Sequence, residues 1–402
     1  MRKVFAFILM IVSITASAER LRTMKVGKEG DFMAAPSIRL GSDERITVSF
    51  DEWSEDYSDL QYRLIHCGPD WETSGLLESE YLDSFNIDDI DDWAFSQNTF
   101  VHFVNYHVEL PNERMNPILS GNYRMEIFER DNPDETIGEA RFSITEHSAD
   151  IIGGVTTHTD RGLNTEWQQM ELRVVPTEAA IDDPYSMLRI DITQNSAPYT
   201  TTTLRNPSRI EGKTIVYSHQ PELIFKAGNE FRRFETIRTN YNDMHVDSMR
   251  FLSRNYHAWL TPDTERASKN YSYDQTQQGR FLIREYNSTD SDLGADYVTV
   301  HFRLETPEVV DGDVYVEGEF TGWQHDASSR MRYDNNEGAY LLEMPLKQGS
   351  YNYRYVAAPR GARPDPSLIE GNKHETRNEY RVQVWYRPIG ARYSRLIADQ
   401  VF

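Results

Sequence analysis

Tyr62-Arg-Leu-Ile-His-Cys-Gly-Pro-Asp-Trp71 is the segment that decides the fold of this chain. Residues 62–67 have the composition of a strand, and Gly68-Pro-Asp70 supplies the turn residues that end it. An excursion rich in aromatic and acidic residues follows (residues 71–98), and strand patterns resume before Leu110 and at Tyr123. This order predicts a β-domain with an elaborated loop, and none of its residues suggests an active site.

Alternation of apolar and polar residues extends this prediction to the whole chain. Ile46, Val48 and Phe50 alternate with polar residues, which is the period of a half-buried strand, and the same period recurs around Leu172 and Val300. Short strands separated by turn signals predict an all-β chain of tandem antiparallel, immunoglobulin-like β-sandwiches. The predicted parts are a signal peptide (residues 1–18), an N-terminal sandwich (19–150), a middle β domain (151–295) and a C-terminal sandwich (296–402).

The N-terminus has the organisation of a secretory signal peptide. Arg2 and Lys3 precede an apolar run (residues 4–14), and Ala16-Ser-Ala18 is a small-x-small cleavage site. We therefore expect an exported, soluble mature chain that begins at Glu19; an uncleaved membrane anchor is the alternative. No later stretch of the sequence approaches the roughly 18 apolar residues of a membrane-spanning helix.

The chain is strongly acidic. Its 42 Lys and Arg residues against 64 Asp and Glu residues give a formal charge of −22. Cleavage of the signal peptide removes the cations Arg2 and Lys3, which takes the charge from −22 to −24. Nucleic acid and anionic membrane surfaces are poor partners for such a chain.

Cys67 is the only cysteine, so an exported chain of this kind has no internal disulfide framework. Its neighbour His66 raises the alternative of a thiol nucleophile with a histidine base. On a strand, however, successive side chains point to opposite faces, so His66 is badly placed to activate the Cys67 thiol. The pattern favours a buried structural cysteine.

The excursion supplies the candidate partner-binding residues. Aromatic side chains beside carboxylates can form a protein-binding surface. The candidates are Trp71, Tyr81, Phe85 and Trp93, with Tyr81 and Trp93 as the preferred anchors. One alternative is that these rings fold back onto the edge of the sandwich. Another is a calcium site among Asp88, Asp89, Asp91 and Asp92, although the spacing lacks the pattern of a calcium loop.

Catalytic and cofactor motifs are missing from the sequence. It contains no HExxH, GxSxG, Walker loop or dinucleotide fingerprint, and its 11 histidines lack metal-ligand spacing. We therefore predict no enzyme, no cofactor and no metal. Residues 287–296 form the best linker; they are acidic, with a solvated linker favoured over a calcium role.

A second group of motifs lies near the C-terminus. Its members are Val314-Tyr-Val-Glu-Gly-Glu-Phe-Thr-Gly-Trp323, Gly338-Ala-Tyr-Leu-Leu-Glu-Met-Pro345, Gly349-Ser-Tyr-Asn-Tyr-Arg-Tyr355 and a final strand, Tyr380–Tyr386. Over about residues 298–387 the chain resembles the early-set immunoglobulin-like module of starch- and glycogen-binding domains. That resemblance implies a glucan platform of two aromatic rings. Trp323 takes the first position, but Ala357-Ala-Pro-Arg-Gly361 stands at the second, so Trp323 is a vestigial platform at most.

The N-terminal motifs resemble those of the type IX secretion system plug protein family. The residues that carry this resemblance are Ser37-Ile-Arg-Leu-Gly41, Ile65-His-Cys67, Asp70-Trp71, Ser79-Glu-Tyr-Leu-Asp-Ser-Phe85, Asn98-Thr99, Leu110-Pro-Asn112 and Leu119-Ser-Gly-Asn-Tyr123, then Asp296-Tyr-Val298 and His301-Phe302. It implies a periplasmic protein, not itself inserted in the membrane, that docks on the outer-membrane β-barrel translocon and closes its pore. The alternative is a periplasmic carbohydrate-binding protein that uses Trp323 with Tyr315 or Tyr340.

Overall fold

The computed structural model describes residues 20–306 and 308–402. The predicted signal peptide (residues 1–18) and the predicted mature start at Glu19 lie outside the described residues. The regular secondary structure of the described chain is almost entirely β-strand, in several sheets, which confirms the all-β prediction. Most strand pairs are antiparallel. The parallel pairs join Ser37–Arg39 to Asn132–Thr145, and both Asn255–Leu260 and Asp263–Thr264 to Tyr297–Glu305.

The first unit (residues 20–146) is a sandwich of two sheets. One sheet has the order β1-β3-β7-β6 and the other the order β2-β9-β8-β4-β5. Its strands are β1 Leu21–Lys28, β2 Ser37–Arg39, β3 Ile46–Glu52, β4 Leu60–Cys67, β5 Asp88–Asp89, β6 Asp92–Phe95, β7 Val104–Leu110, β8 Gly121–Glu129 and β9 Asn132–Thr145. Their alternating apolar side chains meet in one core that includes Val48, Phe50, Leu64, Met125 and Phe142.

The second unit begins at Ala149 and is completed by the end of the chain. Its strands are β10 Ala149–Thr156, β11 His158–Thr159, β12 Gly162–Leu163, β13 Trp167–Pro176, β14 Leu188–Gln194, β15 Thr202–Leu204, β16 Arg209–Glu211, β17 Thr214–Tyr217 and β18 Ile224–Lys226. One sheet runs β10-β13-β17-β16, with β18 also paired to β13. The other contains β15 and β14 followed by two C-terminal strands, Tyr380–Tyr386 and Arg395–Val401.

The third unit (residues 231–371) is built around a ten-stranded sheet. Its strands are β19 Arg232–Glu235, β20 Val246–Leu252, β21 Asn255–Leu260, β22 Asp263–Thr264, β23 Phe281–Ile283, β24 Tyr297–Glu305, β25 Asp313–Glu317, β26 Arg330–Asp334, β27 Ala339–Lys347 and β28 Gly349–Ala358. The C-terminal strands of the second unit are then β29 Tyr380–Tyr386 and β30 Arg395–Val401. A second hydrophobic core lies in the third unit and a third core in the second unit.

Two strand assignments from the sequence are corrected by these pairings. Tyr380–Tyr386 does not finish the C-terminal module; it pairs with Leu188–Gln194, and its apolar side chains lie in the core of the second unit. Phe234 and Phe281, which fall within the predicted middle domain (151–295), lie in β19 and β23, which pair with β28. The reason is that a period of two shows which face of a strand is buried but carries no information on its partner strand.

Within residues 20–306 and 308–402, helices are confined to single turns. They are α1 Glu78–Tyr81, α2 Pro184–Met187, α3 Ser291–Gly294 and α4 Ser367–Glu370, with 3-10 turns at Pro198–Thr200, Pro221–Leu223 and Glu319–Thr321. Only α1 lies in the excursion. It packs the polar segment between β4 and β5 against the first unit.

Buried polar contacts join the units. Between the first and third units, the Lys347 ammonium lies 2.7 Å from the Asp51 carboxylate, and each side chain is 1% exposed. The Tyr297 hydroxyl donates to the same carboxylate at 2.7 Å. Between the first and second units, the partly exposed Arg395 forms an ion pair with Glu146. Since one-sided removal of a buried charge is costly, these contacts fix how the units are oriented.

Candidate partner-binding surface

The inner side of the excursion is anchored on strand β4. The Asn86 side chain accepts a hydrogen bond from the Leu64 N–H and donates to the Leu64 carbonyl, both at 2.8 Å. Tyr81 is 4% exposed, and its hydroxyl donates to the same carbonyl at 3.0 Å. Tyr81, a preferred anchor in the sequence interpretation, is therefore a core residue of the first unit in this structure.

The outer side of the excursion presents apolar side chains to solvent. Phe85 is 91% exposed and Ile87 is 53% exposed, whereas their neighbours Asn86 and Asp88 are buried. This alternation is that of an extended segment with one face on the protein. Because Asn86 and Asp88 hold the backbone, Phe85 projects from a fixed position.

Trp93 lies at the edge of the same sandwich. Its ring stacks on Tyr57 with 4.4 Å between centroids, and Phe95 approaches its edge at 5.4 Å. Trp93 also packs against the core of the first unit, while Tyr57 is 54% exposed and Phe95 is 45% exposed. The three rings form a half-exposed aromatic row, of which the sequence interpretation named only Trp93 as a candidate.

Trp71 is half-buried on the far side of the turn that follows β4. Its backbone has a φ of 63°, and the Arg141 guanidinium lies 5.2 Å from its ring centroid. A non-glycine residue in this left-handed region is uncommon and is held by its surroundings. Here the Trp71 N–H donates to the Gly68 carbonyl at 3.1 Å. The structure thus separates Trp71 from the row formed by Tyr57, Trp93 and Phe95.

The carboxylates of the excursion are paired with arginines. Arg114 contacts Asp88 at 3.2 Å and Asp91 at 2.9 Å. Arg130 contacts Asp89 at 2.7 Å, and the hydrogen bond from Gln61 together with Arg130 lowers the pKa of that carboxyl. Within residues 20–306 and 308–402, no group of three or more His, Cys, Asp or Glu residues is arranged to hold a metal ion. The calcium alternative therefore gains no support from the geometry.

The acidic linker has a structural role that its composition does not reveal. The Asp296 carboxylate accepts the backbone N–H groups of Phe100 at 2.7 Å and Val101 at 3.0 Å. The Gln97 N–H donates to the Leu293 carbonyl at 2.9 Å. The segment that leads into β24 of the third unit thereby clamps the loop that follows β6.

This clamp creates an aromatic cluster that sequence reasoning missed. The Phe100 ring lies 4.6 Å from Phe251 and 5.5 Å from Tyr256, both on the β20–β21 hairpin. Phe100 is 56% exposed and Phe251 is 46% exposed. The residues lie about 150 positions apart in the sequence, so no local pattern could have brought them together.

Trp323, the candidate glycan position, lies against protein. Its ring meets Phe231 edge-on at 6.2 Å, and a Cβ atom at Gly279 would lie 2.4 Å from its ring. Tyr315 is 8% exposed and Tyr340 is 3% exposed. The residue at the expected second platform position, Ala357, is buried. The candidate glycan residues therefore do not form an open platform.

The thiol of Cys67 and the imidazole of His66 bond to different backbone carbonyls. The Cys67 thiol, fully buried, donates to the Ile65 carbonyl at 3.5 Å, and burial raises the pKa of the thiol. His66 Nε2 lies 3.1 Å from the Ser120 carbonyl, and burial lowers the pKa of the imidazole. A thiol that is buried and protonated is a poor nucleophile, so the surroundings of Cys67 and His66 fit a structural role.

The match to a known protein family has the same boundaries as the first unit. The family model described as "Type 9 secretion system plug protein 1st domain" matches residues 21–146, which coincide with the first unit. A solved crystal structure of a hypothetical protein from Parabacteroides merdae is 37% identical, with a TM-score of 0.94, and the match covers 96% of this chain and 97% of that one. A search of curated proteins gives no match. No helix within the described residues is long and apolar enough to cross a membrane.

Proposed function

Since this chain belongs to the type 9 secretion system plug protein family, we propose that it is a non-catalytic periplasmic plug. In this proposal it docks on the periplasmic mouth of the outer-membrane translocon of that system and closes the pore. The observation that carries the proposal is Phe85, which is 91% exposed on the domain that defines the family. Exposure to water does not stabilise an apolar ring, so a phenylalanine that buried neighbours hold on the surface is suited to contact a partner protein.

The surroundings of Phe85 have the composition of a reversible interface. Ile87 lies two residues further along the chain, and the aromatic row follows at β6, where Tyr57 from the β3–β4 loop stacks on Trp93. Exposed carboxylates lie next to these rings in the sequence, Asp83 before Phe85 and Asp92 before Trp93. Aromatic anchors within a polar rim allow specific contact that can still be released.

Charge supplies the second argument. A protein of net charge −22, or −24 after loss of the signal peptide, is attracted to a basic rim and repelled by an acidic one. Attraction of this kind mainly accelerates association and weakens as salt is added. We therefore expect binding to the translocon to be tighter at low ionic strength.

The test is capture of the translocon from detergent-solubilised outer membranes by the tagged protein. The wild type should retain the translocon at low salt, and Phe85→Ser should retain much less. Leu163→Ser is the matched control, because Leu163 is also exposed, at 61%, but lies on the second unit. In cells that contain the translocon, deletion of this gene should raise leakage of a large antibiotic through the outer membrane. Unchanged leakage together with no capture at low salt would refute the proposal.

A further inference from the structure

The free edge of strand β6 has the geometry of a β-strand acceptor. We propose that the partner binds there by strand addition: an extended segment of the translocon, with apolar side chains alternating with basic ones, pairs with residues 92–95. This inference rests on the proposed function for the identity of the partner. The mode of binding rests on the edge itself.

The register shows which backbone groups are available. β6 is the last strand of its sheet and pairs antiparallel with β7. The ladder continues at Ser96, whose N–H donates to the Phe103 carbonyl at 2.9 Å. In an antiparallel ladder, successive residues direct their backbone groups alternately toward the partner strand and away from it. With Ser96 directed toward β7, the backbone groups of Trp93 and Phe95 are directed away from the sheet.

One hydrogen bond already crosses this edge. Gln97 is the next outward-directed residue, and its N–H donates to the Leu293 carbonyl of the third unit at 2.9 Å. In the part of the chain that the structure describes, the outward groups of Trp93 and Phe95 have no backbone partner. The edge therefore donates one hydrogen bond to a backbone carbonyl of the helical turn α3 at one end and is open at the other.

Side-chain space lies next to the open edge. A pocket of about 250 Å³ is lined by residues that include Glu55, Phe95, Ser96, Thr99, His102 and Phe103. Trp93 and Phe95 lie on one face of β6, in contact with each other. An added strand can thus place one side chain in the pocket and its apolar neighbours on the two rings.

The charges around the free edge of β6 favour a basic partner strand. Exposed carboxylates flank the start of the edge: the Asp91 side chain is 67% exposed and the Asp92 side chain is 79% exposed. Glu55, beside the pocket, is 81% exposed. Asp290 and Asp292, near the Leu293 carbonyl, are exposed at the other end. Acidic edges resist pairing with each other, so a second copy of this chain is disfavoured and a basic strand is favoured.

Two variants at one position separate ring contacts from backbone contacts. Phe95→Ala removes the ring, whereas Phe95→Pro removes the ring and also the outward N–H. Proline is tolerated at edge positions where the N–H faces solvent, so both variants should fold. If a strand is added, Phe95→Pro should bind about fivefold to tenfold more weakly than Phe95→Ala, the loss of one backbone hydrogen bond.

The probe is a short, end-blocked peptide in which valine alternates with lysine, and the control peptide carries glutamate in place of lysine. Binding is measured by fluorescence anisotropy on the full chain, with circular dichroism to confirm that each variant is folded. The lysine peptide should bind and the glutamate peptide should not. Phe95→Pro should bind the lysine peptide more weakly than Phe95→Ala does. Equal binding of both folded variants, or of both peptides, would overturn strand addition.

Translocon capture distinguishes this inference from the proposed function. Retention by Phe95→Ala but not by Phe95→Pro supports strand addition in the complex. Equal retention by both variants overturns strand addition and leaves the plug proposal standing. If the wild-type chain captures no translocon while the lysine peptide binds with the expected difference between variants, the edge is an acceptor and the plug proposal fails.

Discussion

The excursion of the first unit and strand β28 of the third unit are both rich in aromatic residues, but they place the rings oppositely. In β28, Tyr351, Tyr353 and Tyr355 are buried. In the excursion, Phe85 is 91% exposed and Phe95 is 45% exposed. Aromatic residues thus build a core in one region and a surface in the other.

In β28 the hydroxyl groups join the buried rings to a polar network. Tyr353 and Tyr355 donate to the buried Asp263 carboxylate at 2.7 and 2.8 Å, and Asp263 also accepts from Arg232 at 2.6 Å. Buried polar groups that are fully paired stabilise a unique packing. Phenylalanine cannot join such a network. We infer that the third unit uses its aromatic residues for stability and that the excursion uses its phenylalanines for contact.

The largest effect is expected when the buried network is broken at its cation. Arg232 contacts Glu370 at 3.0 Å as well as Asp263, and its side chain is 8% exposed. Arg232→Met leaves two buried carboxylates without this partner. The free energy of unfolding should fall by about 3–5 kcal/mol in urea denaturation followed by circular dichroism.

The matched control is an exposed ion pair. Arg209 lies 2.6 Å from Glu211, and both side chains are more than 40% exposed. Arg209→Met should leave the urea midpoint unchanged, since exposed pairs contribute little. Equal losses of unfolding free energy in the two variants would show that the buried network around Arg232 stabilises the protein no more than an exposed ion pair does.

Acid should weaken the third unit selectively. Burial alone would raise the pKa of Asp263, but His245, whose Nε2 lies 3.4 Å from the carboxylate, and the charge of Arg232 hold it well below its usual range. Burial would likewise raise the pKa of Glu370, which Arg232 and Arg266 lower instead. Because the folded-state pKa values lie below the unfolded ones, this stabilisation is complete above about pH 5 and falls as the pH drops below about 4.

Hydrogen exchange measured by mass spectrometry can locate the loss. After correction for the intrinsic exchange rate, peptides from β28 should lose protection between pH 5 and pH 3 before peptides from β8 in the first unit. Simultaneous loss in both units would mean that the units unfold together. The proposed difference between the two regions, stability in the third unit and partner contact in the excursion, would then not be visible in how the units unfold.

The sequence predicted the strand content well because alternation is a local signal. Ile46, Val48 and Phe50 form a half-buried strand as expected, and the family resemblance over the N-terminal motifs is confirmed by the match to residues 21–146. Strand partners were the main failure. One partner of Tyr380–Tyr386, Leu188–Gln194, lies almost 200 residues earlier, and only long-range packing selects it.

Burial on both faces was the second failure. Between the tyrosines of β28 lie Asn352 and Arg354, whose polarity predicts an exposed face, yet both are buried. Arg354 is buried because it donates hydrogen bonds to Glu317 of its own unit and to Tyr199 of the second unit, at 2.8 Å each. Of the candidate binding residues, Phe85 is exposed and Tyr81 is buried, because Asn86 and Tyr81 share the Leu64 carbonyl. No local pattern encodes that contact.

Cys67 tests a buried site at the end of β4. The side chain is fully buried on the face of the strand opposite the core residues Tyr62 and Leu64. Cys67→Ser places a hydroxyl in this site and should cost about 1–3 kcal/mol of unfolding free energy. Cys67→Ala should fold and retain binding to the translocon. A folded alanine variant that no longer binds would show that the thiol has a functional role.

The smallest effect on stability is expected at the most exposed ring. Phe85 is 91% exposed, so Phe85→Ser removes almost no packing and should change the free energy of unfolding by less than about 0.5 kcal/mol. Tyr351→Ser is the counterpart in β28 and should be strongly destabilising, because that ring is buried against Phe234 at 5.0 Å between centroids. Urea denaturation of both variants compares the two regions directly. A loss above about 1 kcal/mol for Phe85→Ser would exceed the range of surface substitutions and show that the ring packs within the chain. In that case Phe85 could not be free to contact a partner, and the contrast between the excursion and β28 would fail.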